Sequence, residues 1–183
     1  FNQLFFIGIM VLGGLTSSYF IYENLTWFQH KEIVQTETHS EDDGHDHESA
    51  EPVNFVEVAK ADTTHLENQL NAGRFLHVEG DFAQALIYYK RYARQNPNNV
   101  DVLSEIGALI WKIKPSAEAI HYFSKAIKID SLHANTNYGM GVVSMSIGEE
   151  KTALAYFKRV LRGKPSETLA AATTEMIQEI NKN

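Results

Sequence analysis

The chain contains no cysteine in its 183 residues. It therefore forms no disulfide, offers no thiolate nucleophile and builds no cysteine-based metal site. The same absence leaves the redox compartment open, because a chain without thiols is compatible with oxidising and reducing surroundings alike.

Catalytic patterns are missing as well. The sequence shows no paired nucleophile and base, no glycine loop of the kind that cradles phosphates, and no pair of carboxylates at a fixed site. We therefore expect a protein that is not an enzyme, needs no cofactor and takes no small-molecule substrate.

Positive charge is scarce in the first third of the chain. Residues 1–60 hold two basic and ten acidic side chains, whereas residues 61–183 hold fourteen basic and thirteen acidic ones. The net charge of −7 therefore belongs to the N-terminal third. Phosphate binding requires clustered lysine and arginine, and the near-neutral remainder indicates no basic stripe, so we expect no nucleic-acid partner.

An uncharged apolar run extends over the nineteen residues 4–22. As a helix this run reaches roughly 28 Å, close to the hydrocarbon thickness of a bilayer. Aromatic side chains that suit a membrane–water boundary follow at Tyr19, Tyr22 and Trp27. Residues 1–34 are therefore predicted to form a single transmembrane helix with an interfacial segment. A cleaved signal peptide and a buried core helix are the competing interpretations.

Small residues recur four positions apart within this run, as Gly13 with Ser17 and Gly14 with Ser18. Such pairs let a second transmembrane helix approach closely, although they also occur in helices that face only lipid. Only two lysines follow the run before residue 61. This scarcity of cations favours a periplasmic or otherwise extracytoplasmic location for the rest of the chain.

Residues 35–51 form an acidic segment with seven carboxylates, three histidines and no large apolar side chain. A segment of this composition cannot bury enough surface to offset the entropy of ordering, so it is predicted to be a flexible linker. His39, His45, Asp46 and His47 have side chains that bind divalent ions such as Zn²⁺ or Cu²⁺. Because a linker lacks the fixed geometry of a metal site, we interpret the segment as a solvated spacer.

Three glycines, Gly73, Gly107 and Gly141, stand 34 residues apart. With glycine numbered as position 8, the repeats cover residues 66–99, 100–133 and 134–167. Position 20 is alanine in every repeat and position 24 is aromatic. These recurring residues are Ala85, Ala119 and Ala153, and Tyr89, Phe123 and Phe157.

This pattern resembles the tetratricopeptide repeat (TPR), a helix–turn–helix unit, over about 100 residues. The family's tryptophan at position 4 is replaced by Gln69, Leu103 and Asn137. The resemblance implies an all-α fold, with two helices per repeat stacked into a superhelix. The full prediction is a transmembrane helix, a linker over residues 35–62 and a three-repeat TPR domain over residues 63–183.

The repeat array also carries helix-capping signals. Thr64 and Glu67 have the spacing of a capping box at the first repeat helix, and Ser116 can cap the helix that follows Lys114-Pro115. Ser166 can cap a last helix over residues 166–181, which would cover the final apolar face of the array. Seven helices are expected from residue 63 onward.

The resemblance implies that the first helix of each repeat lines a concave groove that binds peptides. The matching positions are Leu70, Arg74, His77, Val78, Ala108, Trp111, Lys112, Tyr138, Val142 and Met145. Their mixture of cations and apolar groups suits a carboxylate-bearing helix or extended segment. Trp111 and Tyr138 are equally consistent with packing between repeats, and His77, His121 and His133 are interpreted as surface histidines.

The position-9 residues Ala108 and Val142 replace the polar clamp of the family members that bind chaperone tails, so the resemblance implies no heat-shock chaperone partner.

The leading hypothesis is a membrane-anchored adaptor, scaffold or accessory subunit that holds a partner protein of a membrane complex. A chaperone-like factor for exported or newly made chains, of the translocon-associated or cytochrome c biogenesis type, is the alternative. Metal sensing or delivery through the acidic segment is the third.

Overall fold

The computed structural model describes residues 53–182, and their backbone forms eight α-helices. The helices are α1 Phe55–Ala61, α2 Leu66–Val78, α3 Phe82–Gln95, α4 Val100–Ile113, α5 Ala117–Ile129, α6 Ala134–Ser146, α7 Glu150–Arg162 and α8 Glu167–Ile180. The predicted all-α class is confirmed for this part of the chain, and seven helices follow residue 63 as expected.

The repeats appear as three helix pairs, α2 with α3, α4 with α5, and α6 with α7. Helix α4 also contacts α6 directly, so the first helices of successive repeats lie side by side in one layer. The second helices α3, α5 and α7 form the other layer and bury fewer of their residues than α4 and α6 do. Helix α8 covers the exposed side of α7, which confirms the predicted capping helix.

The glycine at position 8 is required because an aromatic ring lies directly against it. A Cβ atom on Gly73 would be 2.8 Å from the Tyr89 ring, and one on Gly107 would be 2.8 Å from the Phe123 ring. Gly141 meets Phe157 in the same way. The residues that recur every 34 positions are therefore the ones that contact each other, since the glycine at position 8 packs against the ring at position 24. This contact holds the two helices of each repeat together.

Helix α1 was not expected. The sequence assigned its residues to a linker, but Asn54 caps them by accepting a hydrogen bond from the Glu57 amide at 3.2 Å. Ala59 is fully buried against Ala72 and Tyr88. The ordered domain therefore begins before the predicted boundary at residue 63, because seven residues are enough for one apolar face to dock on a preformed surface.

The residues at position 4 explain one departure from the family pattern. Gln69 is fully buried, and its Nε2 donates to the carbonyl oxygens of Ala59 at 2.9 Å and Asp62 at 3.4 Å. Asn137 does the same two repeats later, donating to the carbonyls of Ser131 and His133. An amide at this position thus holds the chain segment that leads into the repeat.

The capping predictions had mixed outcomes. Ser166 caps α8, since its Oγ accepts from the Leu169 amide at 3.2 Å. Thr64 does not cap α2; instead its own amide and hydroxyl donate to the Asp62 carboxylate, which also accepts from the His65 amide. Ser116 stands at the predicted N-cap position without a side-chain cap bond. A carboxylate is a stronger acceptor than a hydroxyl, and Asp62 therefore organises the start of α2.

No helix among residues 53–182 is long and apolar enough to cross a membrane, and the longest have fourteen residues. The predicted transmembrane run, with Gly13, Gly14, Ser17 and Ser18, lies outside the described residues, as does the acidic segment.

Candidate functional site

The structure divides the ten predicted groove residues into two groups. Leu70, Ala108, Tyr138 and Val142 have at most 9% of their surface exposed and belong to the core. The other six are at least partly accessible: Arg74, His77, Val78, Trp111, Lys112 and Met145. Only the second group can contact a partner without rearrangement of the core.

The buried four are covered by neighbouring helices rather than by their own. Leu70 and Ala108 pack in a cluster that includes Phe123 of α5 and Met140 of α6. Tyr138 packs against Phe157, with ring centroids 5.6 Å apart. Val142 joins the cluster that α8 completes with Leu169 and Met176. Burial also raises the pKa of Tyr138 to about 12, as expected for a phenol in an apolar setting.

Apart from Arg74 at position 9, the accessible residues lie where the first helices end, at positions 12 and 13 of the repeats. Position 12 is His77, Trp111 or Met145, all partly buried. Three aliphatic side chains beside them are well exposed: Val78 by 54%, Ile113 by 50% and Ile147 by 63%. We call these residues, together with Lys112, the helix-end rim.

The sequence reasoning missed two members of this rim. Ile113 and Ile147 both occupy position 14, 34 residues apart, just after the positions that the family resemblance names. Their recurrence at one repeat position was the signal that could have found them. They extend the accessible apolar surface along the ends of the first helices.

At the rim, a lysine of repeat two contacts an aromatic ring of repeat one. The Lys112 Nζ atom lies 4.1 Å from the centroid of the Phe82 ring, within the range of a cation–π interaction. Phe82 begins the second helix of repeat one, whereas Lys112 ends the first helix of repeat two. The contact fixes a positive charge beside exposed aliphatic groups, an arrangement that suits an anionic group next to apolar side chains.

His77 lies behind this cation. Its ring makes edge contacts with Phe82 and Tyr89, and its Nδ1 is 3.3 Å from Oε2 of the buried Glu105. Burial raises the pKa of Glu105, and the contact with His77 partly opposes that effect. The carboxylate belongs to α4 and the histidine to α2, so the pair joins the first two repeats.

His133 has a comparable structural role between repeats two and three. Its Nε2 is 2.9 Å from the Asp101 carboxylate and its Nδ1 is 2.6 Å from the Thr136 hydroxyl. The ring thus connects the start of α4 to the start of α6. The sequence predicted a surface histidine here, and the structure adds that both of its ring nitrogens have partners in neighbouring repeats.

The expectation that the repeat domain carries no basic stripe is wrong. Positions 26 and 29 are basic in all three repeats, and they lie on the second helices. Eleven of the thirteen acidic residues in 61–183 lie outside the second helices, for example three of them on α8. Net charge averaged over the domain therefore concealed a separation of charge between its faces.

Among residues 53–182, no group of three or more histidine and carboxylate side chains is placed to hold a metal ion. The metal-binding candidates His39, His45, Asp46 and His47 lie outside the described range.

Comparison with known proteins places these features in a familiar fold. No family model matches the chain. A stretch of 108 residues, 58% of the chain, is 29% identical to the peroxisomal targeting signal receptor of Saccharomyces cerevisiae. The match spans 18% of that receptor's length, so the chain corresponds to a small part of it.

Solved structures give a similar result. The crystal structure of MamA aligns with a TM-score of 0.56 at 19% identity, covering 70% of this chain and 83% of MamA. The first TPR domain of Spaghetti (RPAP3), bound to an HSP90 peptide, aligns at 0.58 and 16% identity, covering 66% and 94%. The TPR2B domain of yeast Sti1 in its pHsp70 complex aligns at 0.57 and 17% identity, covering 64% and 96%. The described repeats therefore have the TPR fold.

Proposed function

We propose that the chain is an adaptor or accessory subunit that holds a segment of a partner protein along the helix-end rim. The observation that carries the proposal is the set of three exposed aliphatic residues, Val78, Ile113 and Ile147, at equivalent ends of the three first helices. An exposed apolar surface marks a binding site more often where its side chains gather than where they are scattered singly. The fold supports the proposal, since two of the similar structures are described as TPR domains in complexes with heat-shock protein peptides.

The partner segment should be apolar with an acidic group. The rim offers a long aliphatic edge with the flexible Met145 and the half-buried Trp111, and Lys112 supplies a fixed cation beside them. Apolar anchors give most of the affinity of such a site, while a charge sets the register of the bound segment.

We further propose that the apolar run of residues 4–22 anchors the adaptor in a membrane, with the repeats on the extracytoplasmic side. Anchoring raises the effective concentration of the rim near a membrane complex, so that even a weak site would be occupied. The experiment is mild crosslinking in native membranes, solubilisation in neutral detergent, and mass spectrometry of the purified chain. One stoichiometric partner is expected; recovery of the chain alone would overturn the proposal.

A chaperone-like role is the second candidate, and the adaptable character of the rim favours it. Methionine and exposed aliphatic side chains repack around many apolar sequences. In this case the same crosslinking would yield many substoichiometric clients in place of one partner.

Metal delivery by the acidic segment is the third candidate. Calorimetric titration with Zn²⁺ and Cu²⁺ should then show binding tighter than micromolar, and weaker binding would exclude this role.

A further inference from the structure

The outer face of the repeats carries an ordered array of charge that the proposed function does not use. Positions 26 and 29 of the repeats are one helical turn apart on α3, α5 and α7, and all six are cations. They are Arg91 and Arg94, Lys125 and Lys128, and Arg159 and Arg162. We call these six residues the cation ladder.

Tyrosine at position 23 contacts a ladder arginine in repeats one and three. The guanidinium of Arg91 lies 5.2 Å from the centroid of the Tyr88 ring, and that of Arg159 lies 5.3 Å from the Tyr156 ring. In repeat two, Tyr122 is covered by Lys90 of the preceding repeat at 5.9 Å. The rings hold arginine side chains against the helix, which lowers the entropy lost when they bind an anion.

The cations of the ladder are available to a ligand. Arg94, Lys128, Arg159 and Arg162 are exposed, and the other two are partly buried. Among residues 53–182, the ion pairs that form involve other side chains, such as Lys90 with Glu118 at 2.8 Å. The three second helices together hold nine basic and two acidic residues, so their face has a strong excess of positive charge.

The same chain contains a segment of opposite charge. Residues 35–51 hold seven carboxylates and no lysine or arginine. This segment is joined to the domain through α1, whose Ala59 is buried against Tyr88, the first tyrosine of the ladder. Thr63, just after α1, lines an open pocket of about 350 Å³ with Arg91, Arg94 and Gln95. The acidic segment is therefore joined to a helix that packs against Tyr88 and whose C-terminal end lies beside the first pair of ladder cations.

The length of the segment fits the ladder. Seventeen residues in extended form reach at most about 60 Å. The second helices of repeats one and three are separated by four interhelix steps of about 10 Å at most, or roughly 40 Å. One acidic segment can thus follow all three pairs of cations.

We propose that the acidic segment of residues 35–51 docks on the cation ladder of its own chain. Each exposed ion pair is weak, but the tether makes binding intramolecular and several pairs act together. The docked segment covers the outer face, which would otherwise attract unrelated polyanions, and leaves the helix-end rim open to its partner. The proposal does not depend on the function of the rim.

Zero-length carbodiimide crosslinking tests the contact in the full chain, purified in dodecyl maltoside, because this reagent joins lysines to carboxylates only where they touch. At 50 mM NaCl we expect residues 35–51 to crosslink to Lys125 and Lys128 at least about fivefold more than to Lys112 or Lys114, reflecting the local concentration of a docked segment. In 0.5 M NaCl, where the Debye length is roughly 4 Å, the yield should fall at least about threefold. Equal yields at the four lysines would overturn the proposal.

Matched variants separate docking from general charge. Arg94→Gln, Arg159→Gln and Arg162→Gln, combined, remove three exposed ladder charges while leaving the lysine reporters in place. Lys114→Gln, Lys164→Gln and Lys182→Gln, combined, remove three exposed charges elsewhere. The first variant should lose most of the crosslinks to Lys125 and Lys128 and the second should keep them. Circular dichroism confirms that both remain helical. The same yield in both variants would contradict the proposal.

Competing occupants are tested by amidating the segment. With its seven carboxylates changed to glutamine or asparagine, the chain should bind a single-stranded RNA oligonucleotide and phosphatidylglycerol vesicles at least about tenfold more tightly than the unaltered chain, because the ladder is uncovered. Equal and measurable binding by the two chains would indicate that the ladder serves an external nucleic acid or lipid surface, and equal binding at any level would contradict docking of the segment.

Discussion

Gly107 and Phe123 show how single residues set the architecture of a repeat. The ring at position 24 lies against the helix at position 8, where an added Cβ atom would collide with it. Both residues are needed for this contact, and both recur at the same spacing in all three repeats. The sequence therefore predicted the helix pairs well, because their contacts join residues sixteen positions apart within one repeat.

Gly107→Ala should destabilise the domain. The added methyl would lie 2.8 Å from the Phe123 ring. Overpacking of this kind costs about 1–3 kcal/mol, against a gain of up to about 1 kcal/mol in helix propensity. Urea unfolding should show a net loss of free energy of unfolding. In the Phe123→Leu background the same alanine should cost less, and strictly additive effects would contradict the proposed contact.

The buried carboxyl of Glu105 should make the free energy of unfolding depend on pH. Burial raises its pKa in the folded state, so its carboxylate form is disfavoured there relative to the unfolded chain. The resulting contribution to stability is complete below the unfolded pKa and is lost as pH rises through the folded pKa. Glu105→Gln should therefore become more stable relative to the unaltered chain as pH rises above the unfolded pKa of the Glu105 carboxyl, and the difference should level off above its folded pKa. Parallel stability curves for the two proteins would contradict this prediction.

Burial of the individual groove residues was less predictable than the helix pairs. Tyr138 and Val142 were assigned to the groove by their repeat positions, but α8 and the residues of α7 enclose them. Such enclosure depends on how neighbouring repeats and the last helix pack, which no single repeat encodes. The exposed Ile113 and Ile147 were missed for the same reason, because exposure is decided between repeats.

At the scale of helices, α1 shows the limit of periodicity. Its seven residues span about two turns, too few to produce a recognisable apolar stripe. Its position is set from outside, by the Gln69 amide that binds the Ala59 carbonyl and by the apolar surface around Tyr88. In repeat one, the family's tryptophan at position 4 is thus replaced by Gln69, whose amide binds the backbone of α1.

Gln69→Leu should release α1 without unfolding the repeats. Leucine is tolerated at the equivalent position in repeat two as Leu103, but it cannot donate to the Ala59 carbonyl. A buried carbonyl left without its partner costs about 1–3 kcal/mol. Hydrogen exchange of residues 55–62 should become faster, while exchange in α4 and α5 stays unchanged. Asn137→Leu is the matched control, because its effect should be confined to residues 131–136 and should spare α1.

At the scale of the whole molecule, the two layers of the array differ in what they present. The first helices end in an apolar rim with one fixed cation, and the second helices display the cation ladder. The net charge of residues 61–183 is near zero, as the sequence predicts. The charge of each face, however, depends on which helices carry the basic and the acidic residues. The fold class followed from the repeat period, whereas the binding surface required the arrangement of all three repeats.

The most direct test of the binding rim is site-specific photocrosslinking in native membranes. Benzoylphenylalanine would replace Val78, Ile113 or Ile147 at the rim, or Ile87 or Leu161 as exposed aliphatic controls on the second helices. We predict that the three rim positions crosslink to the same protein, that the two controls do not, and that Trp111→Ala with Lys112→Glu abolishes the product. Equal crosslinking from rim and control positions, or none from the rim, would contradict the proposal that this surface binds the partner.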